Sequence, residues 1–188
     1  MQVRAMTISA ILAGLILGAT AWMFPAGSAR AHPGEGPPTP LDFITGGGFI
    51  VRPTGDKGNF GVGGGVKNGA FWGHLNYIDH GNGLHVQAQQ QDITGYILID
   101  ERTRDICGHA QTDLFGDVLF HVRVTDNGEP GVDDIFIIRL GKNGVFVYTT
   151  ENDPDHTLGG SQPGGGNIQL HKGNNSNTAP ATPSVCDI

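Results

Sequence analysis

Glycine placement restricts this chain more than any other feature of its sequence. Glycines cluster at Gly46-Gly47-Gly48, Gly63-Gly64-Gly65, Gly159-Gly160 and Gly164-Gly165-Gly166. Each glycine inside a helix costs about 1 kcal/mol relative to alanine, so helices through these stretches are disfavoured. A collagen-like chain would need glycine at every third position, and no such period exists. Asn-Gly dipeptides stand at Asn68-Gly69, Asn82-Gly83, Asn127-Gly128 and Asn143-Gly144, with Pro130-Gly131 a further turn signal. A type I′ hairpin turn needs positive φ at both central residues, and Asn-Gly is the pair that tolerates it best.

Between the turns, apolar residues recur with a period of two. Phe49 and Val51 alternate, then Phe60 and Val62, then Phe71, Leu75 and Tyr77. Leu84, Val86 and Ala88 follow, then Ile93, Ile97 and Ile99, then Ile106, Ala110 and Leu114. Val118, Phe120, Val122 and Val124 form the cleanest run, Val145 and Val147 another, and Ile168 and Leu170 the last. Residues 135–140 are apolar on both faces, which predicts a central strand covered on each side. The expected fold is all-β: an antiparallel meander of about nine or ten short strands forming a barrel or a sandwich.

Residues 1–31 read as a secretory leader. Arg4 is the basic end, Ile8–Phe24 the apolar stretch, and Ala29-Arg30-Ala31 a small-x-small cleavage site. That apolar stretch, about 17 residues, is at the short end for a membrane span. Cleavage after Ala31 is therefore expected, leaving a secreted or periplasmic protein with no membrane attachment. A Pro/Gly-rich linker at 32–41 is expected to be extended and mobile. The β-domain would occupy 42–172 and a polar tail 173–188. Loss of Arg4 and Arg30 takes the formal charge from −7 to −9. Nucleic acid and anionic membranes call for a basic surface and are not expected partners. Export permits a disulfide. Cys107 and Cys186 could bridge across a loop of about 80 residues, tying tail to body; free thiols or an intermolecular bridge are the alternatives.

No motif of a serine hydrolase, a zinc protease or a Cys-x-x-Cys redox site is present, and Gly61–Lys67 lacks the Gly-Lys-Ser/Thr of a phosphate loop. Candidate sites come from residue clusters instead. His74, His85, His109, His121 and His171 fall on the polar phase of their strands, and His80 shares the phase of His74. If neighbouring strands carry them, imidazoles could converge on a transition metal, with His74, Asp79, His80 and His171 as the leading ligands. The bland alternative is that they face water. His32 would become an N-terminal residue with two chelating nitrogens, but Pro33 and a flexible segment follow it. Asp126, Asn127, Glu129, Asp133 and Asp134 offer hard oxygen ligands for Ca²⁺ on one loop, without EF-hand spacing. The competing account is turn chemistry. Trp72 and Tyr96 are candidate exposed aromatics for a carbohydrate or protein partner. No motif calls for a cofactor.

Residues 44–48 (ITGGG), 73–80 (GHLNYIDH), 124–131 (VTDNGEPG) and 165–171 (GGNIQLH), in that order, resemble the post-COAP type of bacterial extracellular domain. The resemblance spans about 44–171. It implies a secreted β-domain of unknown function with no catalytic residues to carry over. Asp79, His80, Asp126, Glu129 and His171 are the polar positions within the matching motifs. The chain departs from the pattern in standing alone and in a longer insertion at 151–163. Three readings follow: a non-enzymatic binding or structural domain; a metal-binding protein using the histidine face or the 126–134 loop; and a small barrel enzyme of the isomerase or cyclase type.

Overall fold

The computed structural model describes residues 36–173, 178–186 and 188. The leader, its cleavage site and His32 lie outside the described residues. The chain forms β1 (Phe43–Val51), β2 (Lys57–Lys67), β3 (Ala70–Asp79), β4 (Leu84–Ala88), a 3-10 turn at Gln90–Asp92, β5 (Ile93–Leu98), β6 (Thr103–Thr112), β7 (Gly116–Thr125), β8 (Ile135–Lys142), β9 (Val145–Thr149) and β10 (Gly166–His171). All pairings are antiparallel. The order across the sheet is β10-β1-β2-β3-β4-β6-β7-β8-β9, with β5 paired to β6 beside this path. At two of the four Asn-Gly pairs both residues take positive φ: Asn68-Gly69 turns β2 into β3 and Asn143-Gly144 turns β8 into β9, whereas at Asn82-Gly83 and Asn127-Gly128 only the glycine does.

The sheet is not closed into a continuous ladder, yet it curls until its inner faces meet. Phe60 of β2 stacks on Phe136 of β8 with ring centroids 4.0 Å apart, although the two strands are far apart in the sheet order. Tyr77 of β3 lies 5.8 Å from the same Phe136 ring. Each such aromatic contributes about 1.5–3 kcal/mol by burial, and a stacked pair about 0.5–1.5 kcal/mol more. Val62, Val86, Ile106, Val122, Val124, Ile138 and Leu140 complete the core. Glycine permits this curl at specific points. A Cβ on Gly64 would lie 2.7 Å from the Ile106 side chain across the interior, and one on Gly73 would run into the Gly63 carbonyl oxygen.

Carboxylates and short segments hold the seam left by the open ladder. Residues 157–158 form isolated bridges to Ile135 of β8 and Ile50 of β1. Asp134 accepts from the Ile168 amide of β10 at 2.7 Å, and Asp126 from the Leu170 amide at 2.8 Å. Side chains thus take the place of a missing neighbour strand along the outer edge of β10.

Several local expectations change. Phe49 and Val51 lie half-buried on the outer face, while Ile50 between them is in the core. Leu114 is not on the face of Ile106 and Ala110: it is 52% exposed in the β6–β7 turn. The doubly apolar stretch becomes β8, next to the last strand in the sheet, with Ile135 and Ile137 half-buried on its outer face. Part of the expected linker is docked: the Gly36 carbonyl accepts from Leu98 at 2.9 Å, and Pro38 is buried.

Candidate functional site

Two polar clusters flank β1. Before the strand, Asp42 accepts from the Tyr96 hydroxyl at 2.6 Å and from Arg104 through both carboxylate oxygens, one bond being 3.1 Å to Nε. Arg104 Nη1 donates to the carbonyls of Asp100 (2.6 Å) and Thr103 (2.7 Å). All three side-chain partners are buried. Tyr96 is therefore not an exposed aromatic; its position on the inward phase of β5 places the ring in the core. Burial, followed by the adjacent Asp42 carboxylate, pushes the Tyr96 phenol well above its ordinary range, so it acts as a neutral donor.

After β1, Arg52 donates to Asp79 at 2.6 Å, to Asp153 at 2.7 Å, to the Tyr77 hydroxyl at 3.3 Å and to the Tyr148 hydroxyl. Tyr148 donates to Asp79 at 2.7 Å and lies 2.6 Å from the Tyr77 oxygen. The Arg52 guanidinium also sits over the Tyr148 ring, 5.1 Å from its centroid. Burial raises both phenols, Tyr77 and Tyr148. Both remain protonated at neutral pH, which suits hydrogen-bond donation and not proton abstraction.

A third network lies on the outer face of β6, β7 and β8. His121 Nε2 is 2.7 Å from Asp105, Arg123 grips the same carboxylate through two bonds of 2.8 Å, and Arg139 lies 3.4 Å from His121 Nδ1 while pairing with Glu151. Burial alone would raise the Asp105 carboxyl. Arg123 and His121 together outweigh it and hold Asp105 below the ordinary carboxylate range.

Cys107 and Cys186 form a disulfide with Cα atoms 5.1 Å apart. It pins the C-terminal tail as a strap across the domain. Ala181 donates to Gly69 at 3.1 Å, Ser184 brackets Tyr96 through its backbone N–H and C=O, and Val185 donates to Thr94 at 3.1 Å. Glycines let the strap lie close: a Cβ on Gly95 would sit 3.0 Å from the Val185 carbonyl oxygen. Between strap and sheet lies a cleft of about 570 Å³. Phe71, Ile93, Leu119, Phe120, Pro183 and Val185 supply most of its walls, with the disulfide at one side and Thr94, His109 and Thr182 as polar groups. β4 pairs with β6 at only two register positions, Val86↔Thr112 and Gln87↔Gln111, and the cleft opens where β6 turns to β5 as its partner.

The histidines are distributed. His74 and His80 are exposed, and Asp79 is buried in the Arg52 cluster. His85 bonds Asn76 at 3.1 Å, and His171 bonds Thr45 at 3.0 Å while stacking on Phe43 at 4.4 Å. His109 is on the cleft rim and His121 is paired with Asp105. Among the described residues, no three His, Cys, Asp or Glu side chains come together as metal ligands would. In the 126–134 loop, Asp126 and Asp134 accept from backbone amides and Glu129 from a side-chain amide. Asp134 takes the amides of Asn127 (2.8 Å) and Ile168, Asp126 those of Gly128 (2.9 Å) and Leu170, and Glu129 the side chain of Asn167 (3.0 Å). Asn127 donates to the Asp133 carbonyl. This is turn and edge chemistry. Trp72 is half-buried on the outer face, its ring 5.7 Å from Phe43.

The cysteine pair signalled the tie between tail and body that the strap makes, whereas the cleft and the Arg52 and Asp42 clusters carry no sequence signal. No helix among the described residues is long and apolar enough to cross a membrane. No family model, curated protein or solved structure matches the chain.

Proposed function

We propose that this chain is an exported, non-enzymatic β-domain whose role is to bind a partner. The observation that carries this reading is how its buried and half-buried ionisable groups are engaged. Asp42, Arg104 and Tyr96 pair with one another, as do Arg52, Asp79, Asp153, Tyr77 and Tyr148. These groups brace the two ends of β1; a pocket of about 220 Å³ lies beside Asp42 and Arg104, and the larger apolar cleft, about 570 Å³, lies under the strap. A largely apolar cleft of several hundred Å³ with few polar groups is typical of a ligand site. Export is supported by the leader-like 1–31 segment and by the disulfide, which persists in oxidising compartments. Membership of the post-COAP type of domain, carried by the four ordered motifs, is part of the same proposal. The acidic formal charge supports partners other than nucleic acid or anionic membrane.

The test is thermal melting of the oxidised protein from residue 32 onward against four ligand classes: oligosaccharides, unstructured peptides, divalent metals and small apolar molecules. One class is expected to raise Tm in a concentration-dependent way and to be recovered chemically unchanged. No stabilisation by any class, or conversion of the ligand, overturns the reading.

A further inference from the structure

We propose that the cleft beneath the C-terminal strap is a binding site for a small, neutral, apolar molecule, an aliphatic or aromatic body with at most one polar end. This rests on the binding-domain reading above and specifies its ligand and its site. Three observations carry it. The first is size: about 570 Å³ is the volume of a small-molecule pocket, and too little for a folded partner.

The second is the chemistry of the walls. Phe71, Ile93, Leu119, Phe120 and Val185 offer carbon surface. Most nearby polar groups are already engaged: Thr94 Oγ1 donates to the Val185 carbonyl at 2.9 Å, the Val185 amide bonds the Thr94 carbonyl, and Ser184 bonds Tyr96, which leaves Thr182 and His109 as the polar side chains open to an occupant. An oligosaccharide or an extended peptide needs a row of open donors and acceptors, which these walls do not present. His109, exposed at the rim, is placed to meet a single polar end.

The third is construction. One wall is the strap itself, which reaches the sheet through the Cys107–Cys186 bridge. Val185 stays 51% exposed although it lines the cleft, so an apolar occupant would cover surface that the fold alone leaves in water. The site therefore depends on the disulfide. A reduced chain keeps Leu119 and Phe120 on β7 but loses the fixed position of Pro183 and Val185.

The experiment is fluorescence titration of the full oxidised domain with N-phenyl-1-naphthylamine, a neutral probe that brightens in apolar surroundings. Saturable one-to-one binding is expected. Leu119→Lys places a charge on the cleft wall and should weaken binding at least tenfold. Reduction by a dithiol, with folding confirmed by circular dichroism, should do the same. Phe146→Ser removes a 60% exposed aromatic on β9, outside the cleft, and should leave binding unchanged. If Leu119→Lys does not fold, Val185→Lys on the exposed strap replaces it. Binding that follows Phe146→Ser, or that survives both the cleft charge and reduction, overturns the site. No saturable binding of the probe, with stabilisation by a sugar, peptide or metal, overturns the apolar site and leaves the binding-domain reading standing. Failure of all four classes ends both.

Discussion

Asp42 shows how one residue can govern this fold. Its carboxylate receives Arg104 and the Tyr96 hydroxyl in a buried setting, joining the entry to β1 with β5 and β6. Removing one partner of a buried ion pair leaves the other charged and unsolvated. Asp42→Ala should therefore cost roughly 3–5 kcal/mol, measured by urea denaturation. Replacing the pair together, by Asp42→Leu and Arg104→Met, should cost less than Asp42→Ala, because no orphaned charge remains. Asp105 gives a different signature, in pH. Its folded-state pKa is depressed by Arg123 and His121 against the effect of burial. The stabilisation is present above the unfolded carboxylate value of about 3.9 and is lost as pH falls through the lower folded value. Asp105→Asn should flatten the stability profile on the acid side and cost about 1.5–3 kcal/mol at pH 7. An acid limb as steep as that of the unmodified protein would show that Asp105 does not supply it.

At the scale of elements, the strap and β5 depend on one another. β5 is paired to a strand on one side only, by β6, and the tail supplies hydrogen bonds to Thr94 and Tyr96 on that strand. The disulfide links residues 79 apart in sequence. In the chain-entropy model, closing a loop of that length stabilises by about 4 kcal/mol. Cys186→Ser should then lower Tm by roughly 8–16 °C for a domain of this size. Amide exchange should rise first in β5 and the tail, and last in β7, whose Val118, Phe120, Val122 and Val124 are all buried. Uniform loss of protection across the sheet would mean that the strap is not a separable element.

For the whole molecule, the ten-stranded antiparallel sheet stays open, and a seam holds its two ends. The ladder is open, but residues 157–158 and the carboxylates of Asp126 and Asp134 span the gap. Asp134 is fully buried, and burial raises its carboxyl above the ordinary range. A raised acid favours the protonated folded state, so its linkage runs opposite to that of Asp105: the contribution is complete at low pH and declines as pH rises through the folded value. Asp134→Ala leaves the Asn127 and Ile168 amides without their acceptor. It should cost about 1–3 kcal/mol per stranded donor and speed amide exchange in β10. Asp134→Asn, which retains one acceptor oxygen, should fall between the two. Equal stability of Asp134→Ala and the parent would remove the carboxylates from the account of the seam.

Local sequence was enough to set the class of the fold. Alternation in stretches such as 118–124 and positive-φ turns at Asn68-Gly69 and Asn143-Gly144 are local properties, set by steric limits within a few residues. It also made a Cys107–Cys186 bridge one of a small number of options. Tertiary structure alone decided what faces what. Tyr96 looked available and is buried against Asp42; Asp126 and Asp134 looked like cation ligands and accept from β10 amides; the histidines share a phase but not a place. Period-two pattern names two faces without saying how a sheet curls. The stacking of Phe60 on Phe136, the seam and the cleft depend on that curl, and on a strap anchored far away in the chain.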